Sequence, residues 1–250
     1  TISPDGRFVA FESNANNLVS DDNNGVSDVF LRDRQTGITT RVSVNSFGQE
    51  GNDKSGAFSD AILPALTPDG RFVAFESKAN NLAPGDNNAE EWDIFVRDRD
   101  ADGNGIFDEE NDTTTRVSIN TNGVSGNGSS RNPVITPNGR FVAFESRADN
   151  LVARDNNQGA WDIFVHDRDP DGNGIFDEGN GRTVRMSVNG IGLQGNNDSF
   201  DPSISSDGRF MVFESNANNL VAGDTNGVRD LFLHDRDPDG NGIFDQGNSI

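Results

Sequence analysis

The sequence predicts an all-β fold built from four tandem copies of one four-stranded unit. The string GRFVAFES begins at Gly6, Gly70 and Gly139 and returns as GRFMVFES at Gly208, at intervals of 64, 69 and 69 residues. Each interval holds four short apolar runs rich in β-branched and aromatic residues, separated by Gly, Asn, Asp and Pro. No stretch of 11 or more residues has helical periodicity. A constant period of this size is typical of one supersecondary unit repeated in tandem.

The four strands are clearest in the second unit, as PALT (64–67), RFVAFES (71–77), DIFVRD (93–98) and TTRVSI (114–119). The first two are joined by Pro-Asp-Gly, a tight-turn sequence. RFVAF and DIFV are apolar nearly throughout, which favours strands covered on both faces. Four-stranded units with buried middle strands describe the blades of a β-propeller.

SPDGRFVAFES followed by DVFLRDRQTGITTRVSV resembles the WD40-like, TolB-type (PD40) propeller repeat, and the resemblance extends through all four units. It implies the strand order PALT innermost, RFVAF second, DIFV third and TTRVSV outermost. The first and third connections then lie on one face, and the second connection and the inter-blade loop lie on the other. We expect one propeller region over 1–250, with blades at about 1–63, 64–132, 133–201 and 202–250.

The ends of the chain fall inside blades. Residues 1–3 align with 65–67 of an innermost strand, and the arginine of the fourth outermost strand would fall at position 253. We therefore expect a last blade without its outer strand, in a segment of a larger propeller or array of seven or eight blades. A closed four-bladed ring, and chains that complete one another edge to edge, are the alternatives.

The composition is strongly acidic, with 41 Asp and Glu against 20 Lys and Arg and a net charge of −21. Such a surface repels nucleic acid and anionic membranes, and no apolar run is long enough for membrane insertion. There is no cysteine, so disulfide content gives no indication of the cellular compartment. The carboxylates form either a general acidic surface or ligands for bound cations.

The second-to-third connection repeats an acidic pattern. It reads DNNGVSD and DTNGVRD in units one and four, and DNNAEEWD and DNNQGAWD in units two and three. Oxygen ligands at alternate residues, closed by a later carboxylate, can wrap Ca²⁺, although Asp and Asn are also ordinary turn residues. The candidate ligands are Asp22, Asn24, Asp28, Asp86, Asn88, Asp93, Asp155, Asn157, Asp162, Asp224, Asn226 and Asp230.

A second acidic element occupies the third-to-outermost connection of units two, three and four: DRDADGNGIFDEEN, DRDPDGNGIFDEGN and DRDPDGNGIFDQGN. Positions one, three, five, seven, nine and twelve fall where an EF-hand loop places its ligands, with glycine at position six. The candidate ligands are Asp100, Asp102, Asn104, Ile106, Asp108, Asn111, Asp169, Asp171, Asn173, Ile175, Asp177, Asn180, Asp237, Asp239, Asn241, Ile243, Asp245 and Asn248. Isoleucine would contribute its carbonyl oxygen.

These three segments, called the inserts below, resemble the calcium loops of thrombospondin type 3 repeats and dockerin-like modules. They depart at position twelve, where Asn replaces a bidentate Glu, and Glu109 or Glu178 is the alternative ligand. The other interpretation is an acidic turn without metal. The first unit has a connection ten residues shorter, so the hairpin closes without the insert. A loop added to a complete scaffold usually serves function or local stability.

Seven sites in all would bring the net charge from −21 to about −7 with Ca²⁺ bound. We therefore expect several Ca²⁺ ions as the cofactor.

The sequence does not predict an enzyme. Its two histidines, His166 and His234, stand where the first two units have Arg32 and Arg97, which indicates surface groups at strand ends. Cysteine and tyrosine are absent, and no serine has a nucleophile-elbow context. The glutamates that recur in every second strand are expected to serve each blade: Glu12, Glu76, Glu145 and Glu214.

Trp92 and Trp161 precede the third strand in the two units with longer loops. They either stack on a sugar or pack against the neighbouring loop. We expect a secreted, extracellular or cell-surface calcium-binding module, noncatalytic and with a carbohydrate or protein ligand. The alternatives are a self-assembling subunit of a filament or surface layer, joined through incomplete terminal blades, and the propeller domain of a hydrolase or lyase.

Overall fold

The computed structural model describes residues 1–56, 63–86, 88, 90–109, 111–157 and 159–245. Within these ranges the chain forms β-strands, arranged in four antiparallel sheets that follow one another in sequence, and no helix. The predicted all-β fold of propeller blades is confirmed. In the described ranges no helix has the length and hydrophobicity that a membrane crossing requires.

The sheets follow the four repeats. The first contains β1 (Phe8–Ser13), β2 (Asp28–Asp33) and β3 (Ile38–Arg41). The second contains β4 (Ser55–Gly56), β5 (Ala65–Leu66), β6 (Phe72–Ser77), β7 (Asp93–Asp98) and β8 (Thr113–Arg116). The third contains β9 (Ser130–Ile135), β10 (Phe141–Ser146), β11 (Asp162–Asp167) and β12 (Arg182–Arg185). The fourth contains β13 (Ser199–Ile204), β14 (Phe210–Ser215) and β15 (Asp230–Asp235).

Neighbouring strands pair in the predicted order, from β9 through β10 and β11 to β12 in the third sheet. In the first sheet the innermost strand is reduced to a bridge between Ile2 and Val9. Ser55 and Gly56 pair with Ser77 and Glu76, so the second sheet recruits residues that precede position 64. The inner edge of a sheet therefore begins in the inter-blade segment.

The middle sheets are covered on both faces, as their continuous apolar strands predict. Every residue of β6, β7 and β10 is buried. The fourth sheet differs, because β15 alternates between buried or half-buried and exposed positions, and Leu231 is 71% exposed. Its counterpart in the third sheet, Ile163, is fully buried. The hydrophobic cores therefore lie between consecutive sheets: first and second, second and third, third and fourth.

The glycine and phenylalanine of the repeated string meet across each blade junction. The N–H of Gly139 donates to the Thr136 carbonyl at 2.8 Å and closes the tight turn. Gly139 has φ +77°, and a Cβ there would lie 2.4 Å from the Phe72 ring of the preceding blade. Only glycine fits both the left-handed backbone and this close approach.

Candidate functional site

The insert of the third unit folds around its first aspartate. The Asp169 carboxylate accepts hydrogen bonds from the backbone N–H groups of Asn173 and Gly174, each at 3.0 Å. The side-chain amide of Asn173 donates to Glu178 Oε2 at 2.7 Å and to Asp171 Oδ2 at 3.2 Å. Positions one, three and five therefore share one network, and Glu178 joins it.

The second unit repeats this arrangement with one difference. Gly105 N–H donates to Asp100 Oδ2 at 3.1 Å, and the Asn104 amide donates to Glu109 Oε2 at 2.8 Å and Asp102 Oδ2 at 3.0 Å. Asp100 is only 6% exposed, and its second oxygen, Oδ1, is buried without a hydrogen-bond partner among the described residues. A buried carboxylate oxygen without a donor is costly, and a bound cation would satisfy it.

The fourth insert has the same local geometry. The Asp237 carboxylate accepts from the N–H of Asn241 at 2.9 Å and of Gly242 at 3.0 Å. At position seven each isoleucine donates its N–H to the asparagine at position five, and its side chain is exposed; these residues are Ile106, Ile175 and Ile243. At position twelve, Asn111 and Asn180 are exposed, and Asn248 lies outside the described residues.

Position nine pairs with a buried arginine. Asp108 accepts from Arg99 Nε at 2.8 Å, and Asp177 accepts from Arg168 Nε at 3.0 Å. Asp245 accepts from Arg236 Nη2 at 2.7 Å. The same guanidinium groups donate to carbonyl oxygens of the tight turns in their own blades, which are Gly70, Gly139 and Gly208. Each insert is thereby fixed to the turn beside it.

The phenylalanine of each insert reaches the preceding blade. Phe176 lies 5.1 Å from Phe72 between ring centroids, and Phe107 lies 5.8 Å from Phe8. The fourth insert repeats the contact between Phe244 and Phe141 at 5.5 Å. Sequence reasoning missed this function, although an invariant apolar residue in an otherwise acidic loop is the signal for it. The inserts join consecutive blades.

In the first unit a buried arginine lies among the acidic residues of the second-to-third loop. Arg41 Nη1 lies 2.9 Å from Glu50 Oε2 and 3.8 Å from Asp22 Oδ1. Asp28 is fully buried and accepts from Ser43 Oγ at 2.5 Å and from the Asn24 amide at 2.9 Å. A positively charged side chain from the outermost strand therefore pairs with carboxylates of this loop.

The longer loops of units two and three have the same design. Arg116 Nη1 lies 3.2 Å from Asp86 and 3.7 Å from Asp93. The third unit repeats it at 3.4 and 3.7 Å with Arg185, Asp155 and Asp162. The arginine that closes every TTR-like outermost strand was the missed signal.

Burial dominates the ionisation of the carboxylates at the start of the third strands. It raises the pKa of Asp93 to about 6, against the opposing effects of the Ser118 hydroxyl and Arg116. Burial likewise raises the pKa of Asp162 to about 6. The amides of Asn88 and Asn157 donate to these two carboxylates. In the fourth unit Asn226 donates to Asp230 at 2.8 Å, in the loop that begins at Asp224.

The donor chemistry of the inserts fits a hard cation, because carboxylate and amide oxygens at alternate positions are what Ca²⁺ prefers. Within the described ranges, no three His, Asp or Glu side chains are already grouped to hold a metal ion. In the second insert the Asn104 amide donates hydrogen bonds to both Asp102 and Glu109. The ligand assignments in both loop types remain predictions, and at position nine an ion pair with arginine competes with a metal.

Both histidines are buried, so the expectation of surface groups was wrong. His166 is 2% exposed and its Nδ1 lies 2.8 Å from Thr183 Oγ1. Burial lowers the pKa of His166 to about 4 and also lowers that of His234. The physical reason is that residues after the insert pack on the ring, since a Cβ at Gly181 would lie 2.6 Å from His166 Nε2. Arg32, in the unit without an insert, is exposed.

Both tryptophans are buried as well. Trp92 is 8% exposed and Trp161 is 3% exposed, and the guanidinium of Arg131 lies 4.0 Å from the Trp161 ring centroid. The packing interpretation is confirmed, and neither ring is an exposed platform for a sugar. Among the recurring glutamates, Glu145 accepts from Arg131 Nε at 2.7 Å and from the Asp201 N–H at 2.8 Å, which is a role within and between blades.

Comparison with solved structures finds several similar chains. It is similar to putative TolB from Agrobacterium tumefaciens (18% identity, all of this chain and 62% of that one, TM-score 0.48). It is also similar to TolB from Acinetobacter baumannii (16% identity, 99% and 41%, TM-score 0.49). The β-propeller domain of the Trilobed protease from Pyrococcus furiosus has 13% identity, with coverage of 94% and 54% and a TM-score of 0.46.

The chain thus spans less than two thirds of the length of these TolB structures. No protein-family model and no curated protein matches the sequence.

Proposed function

We propose that this chain is a secreted, extracellular β-propeller segment, stabilised by calcium, that acts as a noncatalytic binding or structural module. The observation that carries the proposal is the Asp100 carboxylate, which is buried with one oxygen lacking a hydrogen-bond donor at the first ligand position of an insert. A divalent cation in that loop would satisfy this oxygen and join it to neighbouring carboxylates.

The residues that would hold the ion are those of the insert network: Asp100, Asp102, Asn104, the Ile106 carbonyl and Glu109. The corresponding residues follow in the third insert. When bound, Ca²⁺ would offset the mutual repulsion of these carboxylates in a chain of net charge −21. In units one to three the shorter loops already contain a buried arginine cation, so the inserts are the stronger candidates.

A noncatalytic role is supported by the state of the residues that do acid–base chemistry most often. His166 is buried and bonded to Thr183, and burial keeps its pKa near 4. A general base works best with a pKa near the working pH and within reach of substrate. This histidine meets neither condition.

Calcium titration by calorimetry on the chelator-treated protein tests the proposal. We expect about three ions per chain if only the inserts bind and about seven if the shorter loops bind too. Asp169→Asn with Asp171→Asn should remove one ion, whereas Asp207→Asn, in an exposed tight turn, should remove none. No heat of binding up to millimolar Ca²⁺ would refute calcium binding.

A second candidate function is self-assembly through the fourth sheet. Leu231 and Leu233 are exposed on its outer face, whereas Ile163 and Val165 at the same register of the third sheet are buried by the next blade. Exposed apolar faces of this kind mark interaction surfaces. Sedimentation velocity over a hundredfold range of concentration tests this, with Leu231→Lys as the variant expected to stay monomeric.

A further inference from the structure

A groove of about 590 Å³ lies between the outer edges of the first two blades. Its walls include Asp21, Thr40 and Phe47 from the first unit and Arg97 and Glu109 from the second. Charged, hydroxyl and aromatic side chains line it together, so the groove differs from the apolar face of the fourth sheet. The second insert forms one side of it, since Glu109 belongs to the insert network.

Two residues of this groove differ from their counterparts in the other units. Phe47 aligns with Asn122 in the second unit, and Asp21 aligns with Gly85. Arg97, in contrast, is repeated as Arg32 in the first unit and is replaced by histidine in units three and four. Residues shared by every blade serve the fold, whereas a single binding site has to be built from residues present once. The repeat therefore provides an internal control, and this groove departs from it.

The two arginines that line the groove are already paired. Arg97 Nη2 lies 3.3 Å from the buried Asp112, and its Nη1 donates to Thr114 Oγ1 at 3.2 Å. Arg41 is buried, with Nη1 at 2.9 Å from Glu50 and Nη2 at 3.5 Å from the exposed Asp21 carboxylate. Both guanidinium groups are therefore engaged by side chains of this protein, and neither is available to bind an anionic ligand.

The solvent-exposed groups of the groove, in contrast to its arginines, are an aromatic ring and a carboxylate. The Phe47 ring is 89% exposed, and the Asp21 side chain is 69% exposed. An open aromatic face and a carboxylate together favour a cation, because the ring quadrupole attracts positive charge and the carboxylate pairs with it. The net charge of −21 draws cationic ligands toward the whole molecule.

From this geometry we infer that the groove binds a basic peptide side chain, an arginine or lysine laid on Phe47 with its charge toward Asp21. The inference rests on the proposed role as a binding module and names its ligand class. It does not depend on calcium binding, which the titration above measures separately.

The test uses the full chain and acetyl-Arg-Arg-amide, followed by NMR shifts at physiological salt in both EGTA and Ca²⁺. The uncharged isostere with two citrullines should bind at least tenfold more weakly. Phe47→Asn, which installs the residue of the second unit, should weaken binding about fivefold. Asp21→Asn should weaken it about threefold. Ile191→Asn, at the same exposed loop position of the third unit, should leave it unchanged.

Four results would overturn the inference. These are no saturable binding below 5 mM, equal binding of the citrulline peptide, equal binding by the Phe47 and Asp21 variants, and saturation by cellotriose in place of the arginine peptide. Because Phe47 and Asp21 are exposed, their variants should fold, and unchanged melting curves verify this. If calcium titrates normally while the peptide fails, the ligand class is wrong and the calcium-stabilised module stands.

Discussion

The ring of Phe176 packs edge-on against Phe72 of the preceding blade, with centroids 5.1 Å apart and an interplanar angle of 82°. The segment that carries the candidate calcium ligands therefore also closes a blade junction. Asp177, the next residue, binds the buried Arg168, which donates to the Gly139 turn. An acidic loop, a buried ion pair and an aromatic contact thus act together at each junction.

Replacing Phe176 with alanine should lower the free energy of unfolding by about 2 kcal/mol. The ring is half-buried, so it contributes part of the apolar transfer energy of a phenylalanine together with the aromatic pair energy. Urea denaturation measures the change. Ile175→Ala, at the exposed neighbouring position, is the matched control and should change stability by less than about 0.5 kcal/mol.

Gly139→Ala should destabilise the protein more than Gly25→Ala. Both glycines have positive φ, +77° and +70°, but only the Cβ at Gly139 would meet a ring, that of Phe72 at 2.4 Å. The backbone term costs about 1 kcal/mol at each position, and the clash adds about 1–3 kcal/mol at Gly139. Equal losses in chemical denaturation would show that the close approach is relieved without cost.

Removing the buried guanidinium with Arg185→Met should cost about 3–5 kcal/mol, because Asp155 and Asp162 lose their compensating charge. Adding Asp162→Asn removes one of the two stranded charges. The double variant should therefore lose less stability than the sum of the single variants. Additive losses in the double-mutant cycle would mean that arginine and carboxylate do not interact.

Buried His166 should make stability depend on pH. Its folded pKa, about 4, lies below the ordinary histidine value of 6.5, so the unfolded chain takes up a proton first. Its contribution is full at neutral pH and is lost as the pH falls from 6.5 toward 4. Between pH 7.5 and 5 the wild type should lose about 2 kcal/mol relative to His166→Asn.

Subtracting the stability of His166→Asn from that of the wild type at each pH cancels the contributions of all other titrating groups. Asp162 acts in the opposite direction, since its folded pKa of about 6 favours the folded state as the pH falls through 6 toward its unfolded value near 3.8. Parallel stability–pH curves for wild type and His166→Asn would contradict the burial of the ring.

The sequence was sufficient to predict the blades, because the repeat spacing and the apolar runs report burial directly. It also located the inserts, since the unit without one acts as a reference. It did not reveal that His166 is buried, because the burial depends on Gly181 and Thr183, which approach the ring from the far side of the insert in sequence. The partners of Arg116 and Arg185 were missed because each recurring arginine lies some 30 residues from the loop aspartate that it pairs with, Asp86 or Asp155.

The groove at Phe47 could be recognised only in part from the sequence. Alignment of the units shows that Phe47 and Asp21 are unrepeated, but not that they line one groove with Arg97. That proximity arises because the outer edges of two blades meet, and it required the structure.

The central claim, calcium-dependent stability, is tested most directly by thermal melting in excess EGTA and in millimolar Ca²⁺. Each site that binds only the folded state adds about 2.7 kcal/mol at one hundred times its dissociation constant. Three or more sites should therefore raise the melting temperature by well over about 10 °C. Superimposable melting curves in the two conditions would contradict the account.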